Sequence, residues 1–222
     1  MVKKTILTSA QKRFLEFFND EKELTKEFYL TGGTALAEFY LKHRYSEDLD
    51  FFNETEEIDE IEIGKFIKKI ETKFKLKEIK FRKFLGLYTY FLYFLNDEML
   101  KIDFNYYPFP RIEKGIKYKD ITVDSLYDIA VNKVHTISVQ PRARDFIDVF
   151  FIVKEKRYSL HKLLMDAKAK FDWHIDAVHL GSRFYLAIEM KEYPRMIKKI
   201  DHREWQNFFV NEARKLKKEI FK

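Results

Sequence analysis

The stretch Leu30-Thr31-Gly32-Gly33-Thr34 does most to limit what this chain can become, because the short aromatic and apolar run Phe28-Tyr29-Leu30 stops there at two consecutive glycines. A strand entering a tight turn reads this way. Glycine has no Cβ, so the backbone at Gly32 and Gly33 can come close to a bulky anion. Thr34 stands where it can cap a following helix, and Ala35, Leu36, Phe39 and Tyr40 recur at spacings that give that helix an apolar face. The free N–H groups and partial positive charge of such a helix start suit the tail of a nucleoside triphosphate. Gly32, Gly33 and Thr34 are therefore candidate nucleotide-binding residues.

A strand pattern follows in Asp48-Leu49-Asp50-Phe51-Phe52. Alternation sends the carboxylates of Asp48 and Asp50 to one face and Leu49 and Phe51 to the other, with the two aspartate Cα atoms roughly 6.5–7 Å apart. Like charges so close repel unless a cation lies between them. Magnesium, or manganese in its place, is the natural candidate, because such ions take hard oxygen ligands from one or two carboxylates and from substrate phosphates. Leu100, Ile102 and Phe104 alternate with Lys101, Asp103 and Asn105 in a later strand that has one polar face. If that strand lies beside the first, Asp48, Asp50 and Asp103 converge as catalytic and metal-holding residues. Three carboxylates suffice to bridge two metal ions about 3.5–4 Å apart. Just upstream, Arg44 can clamp phosphate oxygens and Ser46 can donate one bond, whereas His43 reads as a helix-end cap or a solvated side chain.

From Leu30 to Phe52, including His43-Arg44-Tyr45-Ser46-Glu47-Asp48-Leu49-Asp50, the sequence resembles the first motif of the AbiEii/AbiGii toxin family of nucleotidyltransferases, which includes the MenT toxins. The block Lys133…Arg142-x-Arg144-Asp145-x-x-Asp148 looks like that family's downstream motif. The resemblance is dense in motifs from about residue 28 to 152. It implies an α+β fold of the polymerase-β type, a mixed sheet with flanking helices followed by a helical C-terminal region. It also implies that Lys133, Arg144 and Asp145 serve nucleotide binding. Some relatives add nucleotides to the 3′ end of tRNA, so the implied role is the toxin half of a toxin–antitoxin or phage-defence pair, with tRNA as acceptor and a cognate antitoxin or regulator encoded nearby.

Without the resemblance, the downstream block reads as two helices. Thr122-Val123-Asp124-Ser125 looks like a helix start, followed by Leu126, Ile129, Ala130, Lys133, Val134 and Ile137 at helical spacing. Lys133 lies on or beside the apolar stripe, where it either snorkels to solvent or points into a cleft. Asp145 and Asp148 share a face at the opening of the next helix, where first-turn acids also complement the helix dipole.

With 222 residues, 46% of them hydrophobic and 23 of them Phe, the chain has ample material for a core without disulfide staples. Cysteine is absent, which fits a reducing compartment. The N-terminal residues lack the apolar run of a signal peptide and no stretch approaches a membrane span, so the expectation is a cytoplasmic protein with no membrane partner. A net charge of +6 favours polyanionic partners.

The expected organisation is a catalytic core over residues 1–118 and a helical domain over 119–222. A first helix runs from Thr8 to Asn19, a second from Ile58 to Phe74 after the acidic loop Glu54-Thr55-Glu56-Glu57. Strands at about Lys75–Phe84 and Leu87–Leu95 lead to the Asp103 strand as an antiparallel meander. After Asp120 only helices are expected, including Leu160–Lys170, Ile175–Met190 and His202–Phe221, the last carrying Arg214-Lys215-Leu216-Lys217-Lys218 as a solvated turn or a contact for RNA backbone. The leading expectation is metal-dependent transfer of a nucleoside monophosphate from an NTP to an RNA 3′ hydroxyl. Alternatives are nucleotidylation of a protein or small molecule, or a catalytically silent RNA- or protein-binding module.

Overall fold

A computed structural model describes residues 5–174 and 176–220, with side chains as far as Leu216. Two compact units make up the chain: residues 1–40 with 45–125, and residues 41–44 with 126–222. The expected boundary after residue 118 is thus displaced to Ser125, and a short upstream segment, Leu41–Arg44, groups with the second unit.

The first unit is built on a seven-stranded mixed sheet of order β3-β4-β5-β2-β1-β7-β6. Its strands are β1 (Tyr29–Thr31), β2 (Asp48–Asn53), β3 (Glu78–Phe84), β4 (Leu87–Tyr93), β5 (Met99–Tyr106), β6 (Ile116–Tyr118) and β7 (Ile121–Val123). Strands β3, β4 and β5 form the antiparallel meander, and β5 then lies parallel to β2. One face of the sheet is covered by helices α1 (Ser9–Asn19) and α4 (Glu60–Phe74). Between them comes α2 (Lys22–Glu27), a short helix without a side-chain cap. Helix α1 starts at a capping box in which Thr8 and Gln11 exchange side-chain-to-backbone bonds. Helix α4 starts at Asp59, whose carboxylate accepts from the N–H groups of Ile61 and Glu62.

These helices press Phe14, Phe18 and Phe66 onto Phe51 and Phe104 of the sheet. The ring centroids of Phe18 and Phe51 are 4.3 Å apart, and those of Phe51 and Phe104 are 5.4 Å apart. All five rings are buried, and each aromatic pair contributes about 0.5–1.5 kcal/mol beyond its area. Because side chains alternate along a strand, burial of Leu49 and Phe51 on this face turns Asp48 and Asp50 to the other.

The chain after Asp120 is not helical throughout. Ile121–Val123 is a strand that pairs parallel with β1 and antiparallel with β6, and Ile121 and Val123 are fully buried. Three-residue strands are too short to show alternation, so the β-branched pair Thr122-Val123 reads locally as the approach to a helix. The second unit holds α5 (Leu126–Val139), α6 (Ala143–Lys156), α7 (Leu160–Lys170), α8 (Ala177–Tyr185) and α9 (His202–Ile220). Its core includes Phe146, Phe184, Trp205 and Phe209, all buried. The expected ends of the last two helices at Ile175 and Phe221 lie outside the described residues, as do the side chains of Lys217 and Lys218. Among the described residues, no helix is long and apolar enough to cross a membrane.

Candidate active site

In the first unit, strand register gathers the polar side chains. Asp50 is the direct partner of Asp103 across β2 and β5, and Asp48 is the partner of Lys101, so all four share the face opposite the aromatic core. On the other side of β2, Asp50 pairs with Thr31 of β1, immediately before the glycine turn.

Gly32 opens helix α3 (Gly32–Ala35), which continues as a π-helical stretch through Leu41. Its φ of +73° lies in the left-handed region, and a Cβ built there would stand 2.1 Å from Oδ2 of Asp50 and 2.8 Å from its Cγ. The carboxylate of Asp50 therefore packs directly on the glycine backbone. Gly32→Ala is expected to lower stability by about 1–3 kcal/mol, through backbone strain and the forced movement of Asp50. An unchanged urea midpoint would show that the turn tolerates a side chain.

Thr34 does not cap the helix as the sequence suggests. It is fully buried inside α3 and its hydroxyl donates to the carbonyl of Asp48. The N-cap is Thr31, whose hydroxyl donates to Oδ2 of Asp124 at 2.7 Å and accepts no cap bond from the helix N–H groups. Asp124 is fully buried: its N–H donates to the Leu30 carbonyl, and its carbonyl accepts from the Tyr40 hydroxyl. It ties the end of β1 to β7 and so fixes where the glycine turn begins. Sequence reading placed Asp124 in a helix start and missed this role; an isolated Asp directly after a β-branched pair was the available signal.

Around Asp103 the bonding is dense. Its Oδ1 accepts from the Thr89 hydroxyl at 2.6 Å, and its Oδ2 accepts from the Lys101 ammonium at 2.6 Å. The same ammonium lies 3.4 Å from Oδ2 of Asp48. Partial burial works against the charge on Lys101. The Asp103 hydrogen bond and the charges of Asp103, Asp48 and Asp50 outweigh it and hold the pKa above the usual lysine range. Among the described residues, no three His, Cys, Asp or Glu side chains stand close enough to hold a metal as a closed set. The face carries three aspartates, whose carboxylates are hard oxygen donors, and Lys101 shows that it attracts positive charge. The polar alternation of β5 made Lys101 visible in the sequence, but its bridging position depends on the β2–β5 register.

Ser46, also expected to contact nucleotide, is partly exposed, and its carbonyl accepts from the Gln11 amide at 2.9 Å.

The second unit contains a separate buried ion network. Asp148 accepts from Arg44 at both carboxylate oxygens, 2.6 Å from Nε and 2.8 Å from the terminal nitrogen, and it lies 2.9 Å from the Lys133 ammonium. Lys133 also donates to Asp145 at 2.7 Å, and Arg142 donates to the other Asp145 oxygen at 2.8 Å. Burial alone would raise both aspartate pKa values. The charges of Lys133 and Arg142 hold Asp145 below the usual carboxylate range, and those of Arg44 and Lys133 hold Asp148 well below it.

His43 is neither a cap nor solvated. It is fully buried, with Nε2 2.8 Å from Asp148, and its carbonyl accepts from the N–H groups of Ile197 and Lys198. Burial pushes its pKa down against the pull of Asp148. Arg44 and Lys133 are equally sequestered, at 3% and 9% exposed, and Lys133 therefore neither snorkels nor lies open. Arg144 remains partly exposed.

A mixed sheet that presents aspartates on two neighbouring parallel strands, next to a glycine turn, has the fold of a nucleotidyltransferase. Two solved Helicobacter pylori proteins share it: JHP933, with a TM-score of 0.57 and 19% identity, and a protein provisionally described as a nucleotidyltransferase, with a TM-score of 0.59 and 20% identity. The matches cover 96% of this chain in both cases, and 94% and 97% of the two H. pylori chains. The chain belongs to the AbiEii nucleotidyl transferase toxin family of type IV toxin–antitoxin systems, whose model matches residues 13–218. It is also 32% identical over 151 residues to the uncharacterized protein aq_aa25 of Aquifex aeolicus, covering 67% of this chain and 68% of that one. The protein is accordingly an enzyme of NTP-dependent nucleotidyl transfer.

Proposed function

We propose that the enzyme moves a nucleoside monophosphate from an NTP to the 3′ hydroxyl of an RNA, with tRNA as the acceptor. The observation that supports this reading most is the direct pairing of Asp50 with Asp103 beside Gly32, with Asp48 on the same face. Asp48, Asp50 and Asp103 would hold Mg2+ or Mn2+, which when bound polarises the phosphoryl oxygens and balances the charge of the departing pyrophosphate. In the transfer, the acceptor oxygen bonds to the α-phosphorus, the bond to pyrophosphate breaks, and the hydroxyl proton passes to Asp103. Thr89 and Lys101 hold the Asp103 carboxylate in one orientation for that proton, while each of its oxygens keeps a further lone pair. The missing Cβ of Gly32 makes room for the Asp50 carboxylate, Gly33 beside it would let the triphosphate come close, and Thr34 holds the turn to the Asp48 strand.

In the second unit, Lys133 and Asp145 would serve nucleotide binding by keeping a rigid ion-paired network, to which Arg44 also belongs. Arg144, partly exposed in the same motif, would meet a phosphate. Family membership supports action as the toxin of a pair with an antitoxin partner; that the antitoxin is encoded nearby and that the pair acts in the cytoplasm in defence against phage extends this reading.

The test is transfer of label from each α-labelled NTP, with magnesium, to tRNA or to protein of a lysate. Label is expected on RNA, from a restricted set of nucleotides, and only with metal present. Label on protein alone would replace the RNA acceptor with a protein hydroxyl.

A further inference from the structure

The sheet face that carries the aspartates does not end at Asp103. Register continues it outward: Asp103 pairs with Thr89 of β4, and Thr89 with Arg82 of β3, so Thr31, Asp50, Asp103, Thr89 and Arg82 form one row across five strands. The adjoining row runs through Asp48, Lys101, Phe91 and Lys80. Strand β3 is the edge of the sheet, and Lys80, Arg82 and Phe84, which share this face, are all exposed, Phe84 at 71%.

Two cations on this edge are held over rings of the neighbouring strand. The Arg82 guanidinium lies 5.3 Å from the Phe91 centroid, and the Lys80 ammonium lies 4.9 Å from that of Tyr93. Both rings are half-buried and fixed in the sheet. The acid on this part of the face is Glu78, 3.6 Å from Lys80. Flat rings interleaved with cations on an open sheet suit unpaired nucleotides, whose bases stack and whose phosphates need positive charge. A duplex would hide its bases from such a surface. Neighbouring strands stand about 4.8 Å apart, so Arg82 lies about 10 Å from Asp103 across the row, a span that matches the terminal nucleotides of a strand whose end reaches the aspartates.

We infer that the face formed by Lys80, Arg82, Phe84, Phe91 and Tyr93 is the track on which the single-stranded 3′ end of the acceptor RNA lies. This rests on the RNA-acceptor reading above. Lys80 and Arg82 hold phosphates, and the exposed parts of Tyr93 and Phe84 stack on bases.

Fluorescence anisotropy of a labelled single-stranded oligoribonucleotide tests the track. Lys80→Gln/Arg82→Gln is expected to weaken binding about tenfold or more in moderate salt, and to reduce the slope of log affinity against log salt by about 1.4, the loss of two phosphate contacts. Tyr93→Ala is expected to weaken binding about fivefold or more with the salt slope unchanged, because it removes stacking and not charge. Lys80→Arg should bind as wild type does, and the melting temperature of the double variant should match that of the wild type. Equal binding by wild type and the double variant would overturn the track and leave the RNA acceptor standing. So would retained binding with a new tendency to aggregate, which would mean that the two charges only guard the sheet edge. Wild type that does not bind RNA, yet transfers label to protein, would overturn the acceptor reading and the track together.

Discussion

Asp50→Asn is expected to transfer label at least a few hundredfold more slowly than wild type while remaining as stable or slightly more so. The rate loss follows from position. Asp50 sits between the glycine turn and Asp103, so its charge is close to both the incoming triphosphate and the acceptor. Loss of a single preorganised charge-stabilising group at a reacting centre costs on the order of 10²–10³ in rate. Stability moves the other way for an electrostatic reason. Asp48, Asp50 and Asp103 share one face, where the Lys101 ammonium bridges Asp48 and Asp103, and removal of one negative charge relieves repulsion that a bound cation would otherwise offset. Asparagine keeps the shape that packs on Gly32, so the fold should not be disturbed. Single-turnover rates and thermal melts, each with and without magnesium, give the two readouts. A variant that transfers at the wild-type rate would remove Asp50 from the catalytic set.

Asp148→Asn is expected to produce the largest loss of stability, on the order of 3–5 kcal/mol at neutral pH, with urea midpoints as the measurement. Asp148 is completely buried and answers Arg44, Lys133 and His43. Neutralising it takes the carboxylate charge away from a guanidinium that is 3% exposed, and breaking a buried pair from one side is costly. The effect should depend on pH in a definite direction. The folded pKa of Asp148 lies well below that of an unfolded aspartate near 3.9, so its stabilisation is complete above about pH 4 and is lost as the pH falls toward the folded value. The gap between wild type and variant should therefore narrow below about pH 4.

His43 contributes at higher pH: its folded pKa lies below the unfolded value near 6.5, so wild-type stability begins to fall as the pH drops below about 6.5, because the unfolded imidazole takes up a proton that the buried ring resists. A gap of under 1 kcal/mol at pH 7 would mean that the network adds little to the fold.

Local sequence carried the aspartate face and the glycine turn well because both devices are local. Alternation in Asp48-Leu49-Asp50-Phe51 settles which side chains face the core, and a double glycine before a helical stretch marks a turn whatever surrounds it. The β3–β5 meander was legible for the same reason, each strand having enough residues to show its period. Strand β7 was not, since three residues carry no period and its place beside β1 is a long-range pairing. Lys133 looked like a choice between solvent and cleft because periodicity gives only the side of the helix. Its actual partners, Asp145 and Asp148, lie on the next helix and are fixed by how α5 packs on α6. His43 misled for the opposite reason: its short polar surroundings in sequence suggest exposure, but the backbone of Ile197 and Lys198 covers it from more than 150 positions away.

By itself the sequence determined the longer elements, the face on which the aspartates stand and the family motifs, because those depend on backbone periodicity and on what a glycine permits. Only the tertiary structure decided which charges meet. The parallel register of β2 and β5 sets Asp50 against Asp103 and Asp48 against Lys101, and a shift of one residue would have turned Asp103 into the aromatic core. Packing likewise made the Arg44–Asp148–Lys133 set a buried, ion-paired network, because a buried charge is tolerated only where its counter-charge is brought to it from elsewhere in the chain.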